Sequence, residues 1–112
     1  PYPENVQLAQ SLAKQLRQRG VEPATIALRN GVCHVGLSMD DIRDLSQART
    51  ENRVVKCSTR EIPLFLAQQQ ATQTTTTSPA QWGATTVAST MRLAHMAGIS
   101  TFVTGGSGGV HR

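Results

Sequence analysis

Gly83-Ala84-Thr85-Thr86-Val87-Ala88-Ser89-Thr90-Met91-Arg92-Leu93-Ala94-His95-Met96-Ala97-Gly98, continued by Ile99-Ser100-Thr101-Phe102-Val103-Thr104-Gly105-Gly106-Ser107-Gly108-Gly109-Val110-His111-Arg112, is the stretch whose reading decides the fold. Its small residues predict a helix over 83–97 that lies close to a sheet, with Val87, Met91 and Ala94 as the buried stripe and Gly98 as the stop. The β-branched run 99–103 predicts the next strand, and the glycines at 105–109 predict a loop whose backbone N–H groups can turn toward an oxyanion. The start of the helix, 83–86, offers hydroxyls and open N–H groups at the positive end of a helix dipole.

Outward from that stretch, residues 4–19 carry Val6, Ala9, Leu12, Ala13 and Leu16 at three-to-four spacing, which predicts a scaffold helix ended by Gly20. Residues 24–28 and 32–35 flank Asn30-Gly31 and predict a hairpin. Ser38 is the expected N-cap of a short helix that ends near Ala48, with Asp40 and Asp41 in its first turn and Met39, Ile42 and Leu45 turned inward. Residues 54–57 predict a strand, and Ser58 with Glu61 has capping-box spacing, so a helix is expected from about Thr59. Alternating strands and helices define the class as α/β. Residues 68–80, a Gln/Thr tract without apolar periodicity, predict a solvated insertion.

The chain has 112 residues, enough for one domain or part of one, and an apolar fraction of 38% with four aromatic residues makes for a modest core. It opens on Pro1 and stops at Arg112, directly after the glycine loop, and reads as truncated at both ends. The net charge of +4 comes from nine Arg and two Lys scattered along the chain, without the basic patch or aromatic interleaving of a nucleic-acid binder. An anionic small molecule suits this charge better. No apolar run reaches membrane-span length and no signal peptide opens the chain, so an intracellular, soluble protein is expected. Cys33 and Cys57 show neither metal-site nor disulfide-framework spacing, and read as thiols in a reducing compartment. His34 reads as a solvent-side strand residue rather than a metal ligand, and His95 as a packed or surface histidine rather than a catalyst.

Lys56 stands at the carboxyl end of a strand just before a helix, which is where open α/β sheets bind ligands, and it is either a ligand-binding group or a surface lysine at a strand end. The glycine loop lacks the third glycine of a dinucleotide fingerprint and the Gly-Lys-Ser/Thr ending of a P-loop. A strand, a glycine nest, His111 and Arg112 suit a phosphate or a phosphorylated sugar.

Six separate blocks carry a more specific resemblance: Pro1-Tyr2-Pro3-Glu4-Asn5, residues 21–27, Val35-Gly36-Leu37-Ser38, Val55-Lys56-Cys57-Ser58, residues 83–90 and residues 104–112. In this order they resemble the pseudouridine-5'-phosphate glycosidase family, which includes indigoidine synthase A-like proteins. The family usually has an aliphatic residue where Ser107 stands and lacks the Gln/Thr tract. The resemblance implies an α/β/α layered fold with a mixed sheet, here partial, and a homotrimer. It also implies reversible cleavage of the carbon–carbon glycosidic bond of pseudouridine 5'-phosphate to uracil and ribose 5-phosphate. Lys56 and Val87 match substrate-contacting positions, and Thr104 and His111 match positions near the sugar phosphate, with Thr86 beside them. The family's proton-donating glutamate, its Schiff-base lysine and the aspartate that holds manganese match no residue of this chain. Lys14, on the polar face of a scaffold helix, does not replace the nucleophile. A non-catalytic phosphate-binding or interaction module derived from the same fold is the alternative.

Overall fold

In the computed structural model, residues 2–72 and 81–105 are described. The elements run α1 (Glu4–Gln18), β1 (Ile26–Arg29), β2 (Val32–Val35), α2 (Met39–Thr50), β3 (Val54–Cys57), α3 (Ile62–Thr72), β4 (Trp82–Thr85) and α4 (Val87–Met96). The four strands form one mixed sheet in the order β2-β1-β4-β3. β1 is antiparallel to both β2 and β4, whereas β3 and β4 are parallel.

The hairpin forms as its sequence predicts, because Asn30 (φ 54°) and Gly31 (φ 74°) both take the positive φ that a two-residue type I′ turn demands. Arg29 then pairs with Val32 directly across the turn. Alternation along the strands builds two half-cores. Ala27 and Trp82 meet Ala48 of α2 on one face, joined by Leu37, Leu45 and Val54. Leu28 and Cys57 meet Phe65 of α3 on the other, joined by Cys33, Ile62 and Leu66. Helices therefore cover both faces, the layered α/β arrangement expected. Trp82 is buried, and its indole N–H donates to Asp44 Oδ2 at 2.8 Å while the Arg29 guanidinium stacks 4.8 Å from its ring.

Several expectations need correction. Residues 82–85 are a strand, not the start of a helix, and sit between β1 and β3. Tertiary pairing overrides local preference here, since a small-residue segment fits between two neighbours that both supply ladder partners. The helix accordingly starts at Val87 and turns a different face inward: Ser89, Leu93 and Ala94 are buried, whereas Met91 is 55% exposed. Residues 99–103 form no strand among the described residues. β1 is Ile26–Arg29 rather than 24–28, and α2 runs on past Ala48 to Thr50. α3 begins at Ile62, three residues late, because residues 59–61 are turn. It then continues through Thr72, so Gln68, Gln69 and Gln70 belong to a helix rather than to a solvated insertion. Residues 73–80 lie outside the described residues. On α1 only Val6 of the expected stripe is buried, and Leu12 and Leu16 are exposed.

Candidate functional site

The parallel pair β3/β4 delivers two carboxyl ends to the same edge of the sheet. Lys56 is registered against Ala84 and Cys57 against Thr85, so the chain leaves both strands side by side. β4 is followed at once by Thr86, the N-cap of α4. Its side chain accepts the Ser89 N–H at 3.3 Å, and Ser89 Oγ accepts the Thr86 N–H at 2.8 Å, a closed capping box. The Ser89 hydroxyl, fully buried, donates to the carbonyl of Cys57 at 2.9 Å, and that carbonyl also receives the Thr86 N–H at 3.3 Å. The end of β3 is thus stitched to the first turn of α4. Thr85 Oγ1 lies 2.5 Å from Thr90 Oγ1, and Thr90 in turn donates to the Thr86 carbonyl at 2.8 Å.

Lys56 is exposed. Because it is registered against Ala84, which follows Trp82 by two residues, its side chain belongs to the α2 face of the sheet. Glu61 is close enough for the Lys56 ammonium to contribute to its acidity. Hydrogen bonds from Ser58, side chain and then backbone, are the larger causes, and together they hold the Glu61 carboxyl below its usual range. Glu61 Oε2 accepts the Ser58 N–H at 2.6 Å, so this carboxylate is occupied as a cap and stays ionised near neutrality. It is a poor proton donor.

Of the residues singled out in the sequence, the structure brings Lys56, Thr86 and Val87 to one junction, with Val87 the first residue of α4. Thr104 is exposed in the irregular segment after α4, and His111 with most of the glycine loop lies outside the described residues. The Thr86 hydroxyl is less free than expected, since the capping box engages it. The N–H groups of Val87 and Ala88 stay open, as the first donors of an α-helix do. Sequence reasoning missed Ser89, although Thr86 and Ser89 have the i, i+3 spacing of a capping pair. Burial pushes both Cys33 and Cys57 thiols up, which leaves neither a ready nucleophile. Among the described residues no group of three or more His, Cys, Asp or Glu is placed to hold a metal ion, and no helix is long and apolar enough to cross a membrane.

A mixed sheet whose parallel strands end beside a capped helix N-terminus, with one lysine at that edge, defines an α/β protein, and the carboxyl ends of parallel strands are where open α/β sheets take ligands. The model of the family described as indigoidine synthase A like protein matches residues 1–112, and the chain belongs to that family. It is 47% identical over its whole length to a pseudouridine-5'-phosphate glycosidase of Clostridium botulinum and spans 32% of that protein. A pseudouridine-5'-phosphate glycosidase of Deinococcus radiodurans is 46% identical over the same 112 residues, 31% of its own length. Among solved structures, the prealnumycin C-glycosynthase AlnA in complex with ribulose 5-phosphate superposes with a TM-score of 0.70 at 38% identity, over 92% of this chain and 30% of that one. The chain therefore spans about a third of the length of the relatives it matches.

Proposed function

We propose that this chain is the sugar-phosphate-holding part of a pseudouridine-5'-phosphate glycosidase, an enzyme that reversibly cleaves the carbon–carbon bond between uracil and ribose 5-phosphate. The observation that carries the reading is the similarity itself: every one of the 112 residues falls within matches of 47% and 46% to proteins of that name. The AlnA structure, with its bound ribulose 5-phosphate, supports a phosphorylated sugar as the ligand of this fold.

In this reading Lys56 supplies a compact cation toward the phosphorylated sugar, and Val87 packs against the substrate at the first turn of α4. The Val87 and Ala88 N–H groups face the ligand edge with the positive end of the α4 dipole behind them. Thr86 sets the direction of that turn. Thr104 and His111 complete the phosphate contacts. The Schiff-base lysine and the proton-donating glutamate of such an enzyme come from polypeptide outside these residues. The described carboxylates do not fit a manganese centre, so its aspartate ligand is assigned outside as well. A homotrimeric assembly of the whole enzyme belongs to the same reading.

Calorimetric titration with ribose 5-phosphate tests this. Lys56→Ala is expected to weaken binding about tenfold, the worth of one charge-assisted contact, with thermal stability unchanged. Equal affinity in the variant removes Lys56 from the site. The chain by itself is expected not to turn over pseudouridine 5'-phosphate, and release of uracil by it would overturn the assignment of the catalytic groups to other polypeptide.

A further inference from the structure

A concavity lies between the first turn of α1 and the middle of α2, with Ala84 of β4 among its walls. It consists of two adjoining cavities of about 220 and 430 Å³ that share Asn5, Ser46 and Arg49 as walls. The smaller one is floored by Val6, Leu45 and Ala84 and is apolar. The larger one opens past Tyr2 and Thr50.

Ser46 is the unusual group here. Its side chain is only 7% exposed, and its hydroxyl has no hydrogen-bond partner among the described residues. A helical serine ordinarily finds solvent or the carbonyl one turn back, and a buried hydroxyl left without either is a defect unless something else meets it. Arg49 follows one turn later on the same face of α2. Arg17, Arg29, Arg43 and Arg53 each have a carboxylate within ion-pair distance, but the Arg49 side chain makes no ion pair or hydrogen bond among the described residues. Asn5 uses its Oδ1 to accept the Val6 N–H at 2.9 Å, which leaves the amide NH₂ as its free end.

The walls thus present the Arg49 guanidinium, the Ser46 hydroxyl and the Asn5 amide NH₂, with no carboxylate among the lining residues. From this we propose a binding pocket for a small carboxylate carrying a short aliphatic body. The carboxylate sits between Arg49, Ser46 and the Asn5 amide, and the aliphatic part fills the cavity over Val6, Leu45 and Ala84. A guanidinium with a convergent hydroxyl matches the planar, two-oxygen geometry of a carboxylate. The apolar floor favours an organic acid over inorganic phosphate, which has no body to bury. Lys56 is not among the walls of this pocket, although it is registered against the floor residue Ala84.

Titration of the ¹⁵N-labelled chain with butyrate, with butanol and inorganic phosphate as comparison probes, tests the proposal. Butyrate is expected to shift the amide resonances of Val6, Ser46 and Arg49 in a saturable way, and butanol and phosphate to bind at least about tenfold more weakly. Arg49→Gln and Ser46→Ala are each expected to cost about tenfold in butyrate affinity. Ser46→Ala removes an unpaired buried hydroxyl, so its melting temperature should be equal to or above that of the parent chain, and lost binding then does not reflect lost folding. The proposal is overturned if butyrate does not shift these residues, if phosphate binds as well as butyrate, or if both pocket variants bind like the parent.

Discussion

The buried hydroxyl of Ser89 donates to the backbone carbonyl of Cys57 at 2.9 Å, and together with the Thr86 N–H bond to the same carbonyl it joins the start of α4 to the end of β3. It fixes the distance between the strand that carries Lys56 and the turn that carries Thr86 and Val87. Ser89→Ala leaves the Thr86 N–H with only its longer 3.3 Å bond to Cys57 and deprives the Cys57 carbonyl of its better donor. A loss of about 1–2 kcal/mol in unfolding free energy is expected, as for a buried hydrogen bond removed from one side. Urea denaturation measures it. In Ser89→Thr the hydroxyl is kept but a methyl is added in a fully buried place, so that variant should be no more stable than Ser89→Ala.

Gly83 is where β4 has no room for a side chain. A Cβ built there would stand 2.8 Å from Phe65 Cε1 and 3.0 Å from two atoms of Leu28. Gly83→Ala is therefore expected to destabilise by roughly 1–3 kcal/mol, the usual range for overpacking. The closest clash is with the edge of the Phe65 ring while the contacts with Leu28 remain, so pairing it with Phe65→Leu should return part of the loss. A thermal-melt comparison of the single and double variants checks this, and equal melting temperatures for the parent chain and Gly83→Ala would show that the ring moves aside freely.

How far the sequence discloses this molecule depends on what each signal measures. The start of α2 was legible: Ser38 and Asp41 form the box that opens it, since the signal is local and the contacts are local too. So was the Asn30-Gly31 turn, because its backbone angles belong to the two residues themselves. The strand at Trp82–Thr85 was not, since Gly-Ala-Thr has no strand preference of its own and is extended only because β1 and β3 bind it on both sides. Lys56 was placed correctly at a strand's carboxyl end, and Thr86 and Val87 came to the same junction. What escaped was the bond that holds them there, because Ser89 and Cys57 are 32 residues apart. The role of the glutamines was likewise hidden, for a Gln tract looks the same in sequence whether or not a turn awaits it.

Gln69 and Gln70 clamp that turn from the last part of α3. Gln69 Oε1 accepts the Gly31 N–H at 2.9 Å, and Gln70 Nε2 donates to the Gly31 carbonyl at 3.2 Å. Gln69 also donates to the Gln81 carbonyl, just ahead of β4. The tract therefore ties the hairpin to the helix. Replacing both glutamines by alanine is expected to cost about 1–3 kcal/mol, two to three hydrogen bonds at about 0.5–1.5 kcal/mol each with partial replacement by water. Hydrogen exchange should show the Gly31 amide losing protection, and unaltered protection would mean that the turn does not need its clamp.

Acid should loosen the starts of α2 and α3 together. Hydrogen bonding from Ser58 holds the Glu61 carboxyl below its ordinary value, and hydrogen bonding from the Ser38 side chain does the same for Asp41, with Arg29 and His34 adding to it. A carboxyl whose folded-state value is depressed binds its proton more weakly folded than unfolded, so its contribution is complete above the unfolded value, about 4. That contribution fades as pH falls from there through the lower folded value. Stability measured by urea unfolding should thus be flat with respect to these two groups from pH 7 to about 5, and fall below about 4. Asp41→Asn and Glu61→Gln should each lower stability at pH 7 and reduce the slope of the acid limb, with the two effects adding because the caps lie on different helices. A double variant with an acid limb as steep as that of the parent chain would show that other carboxylates drive the transition.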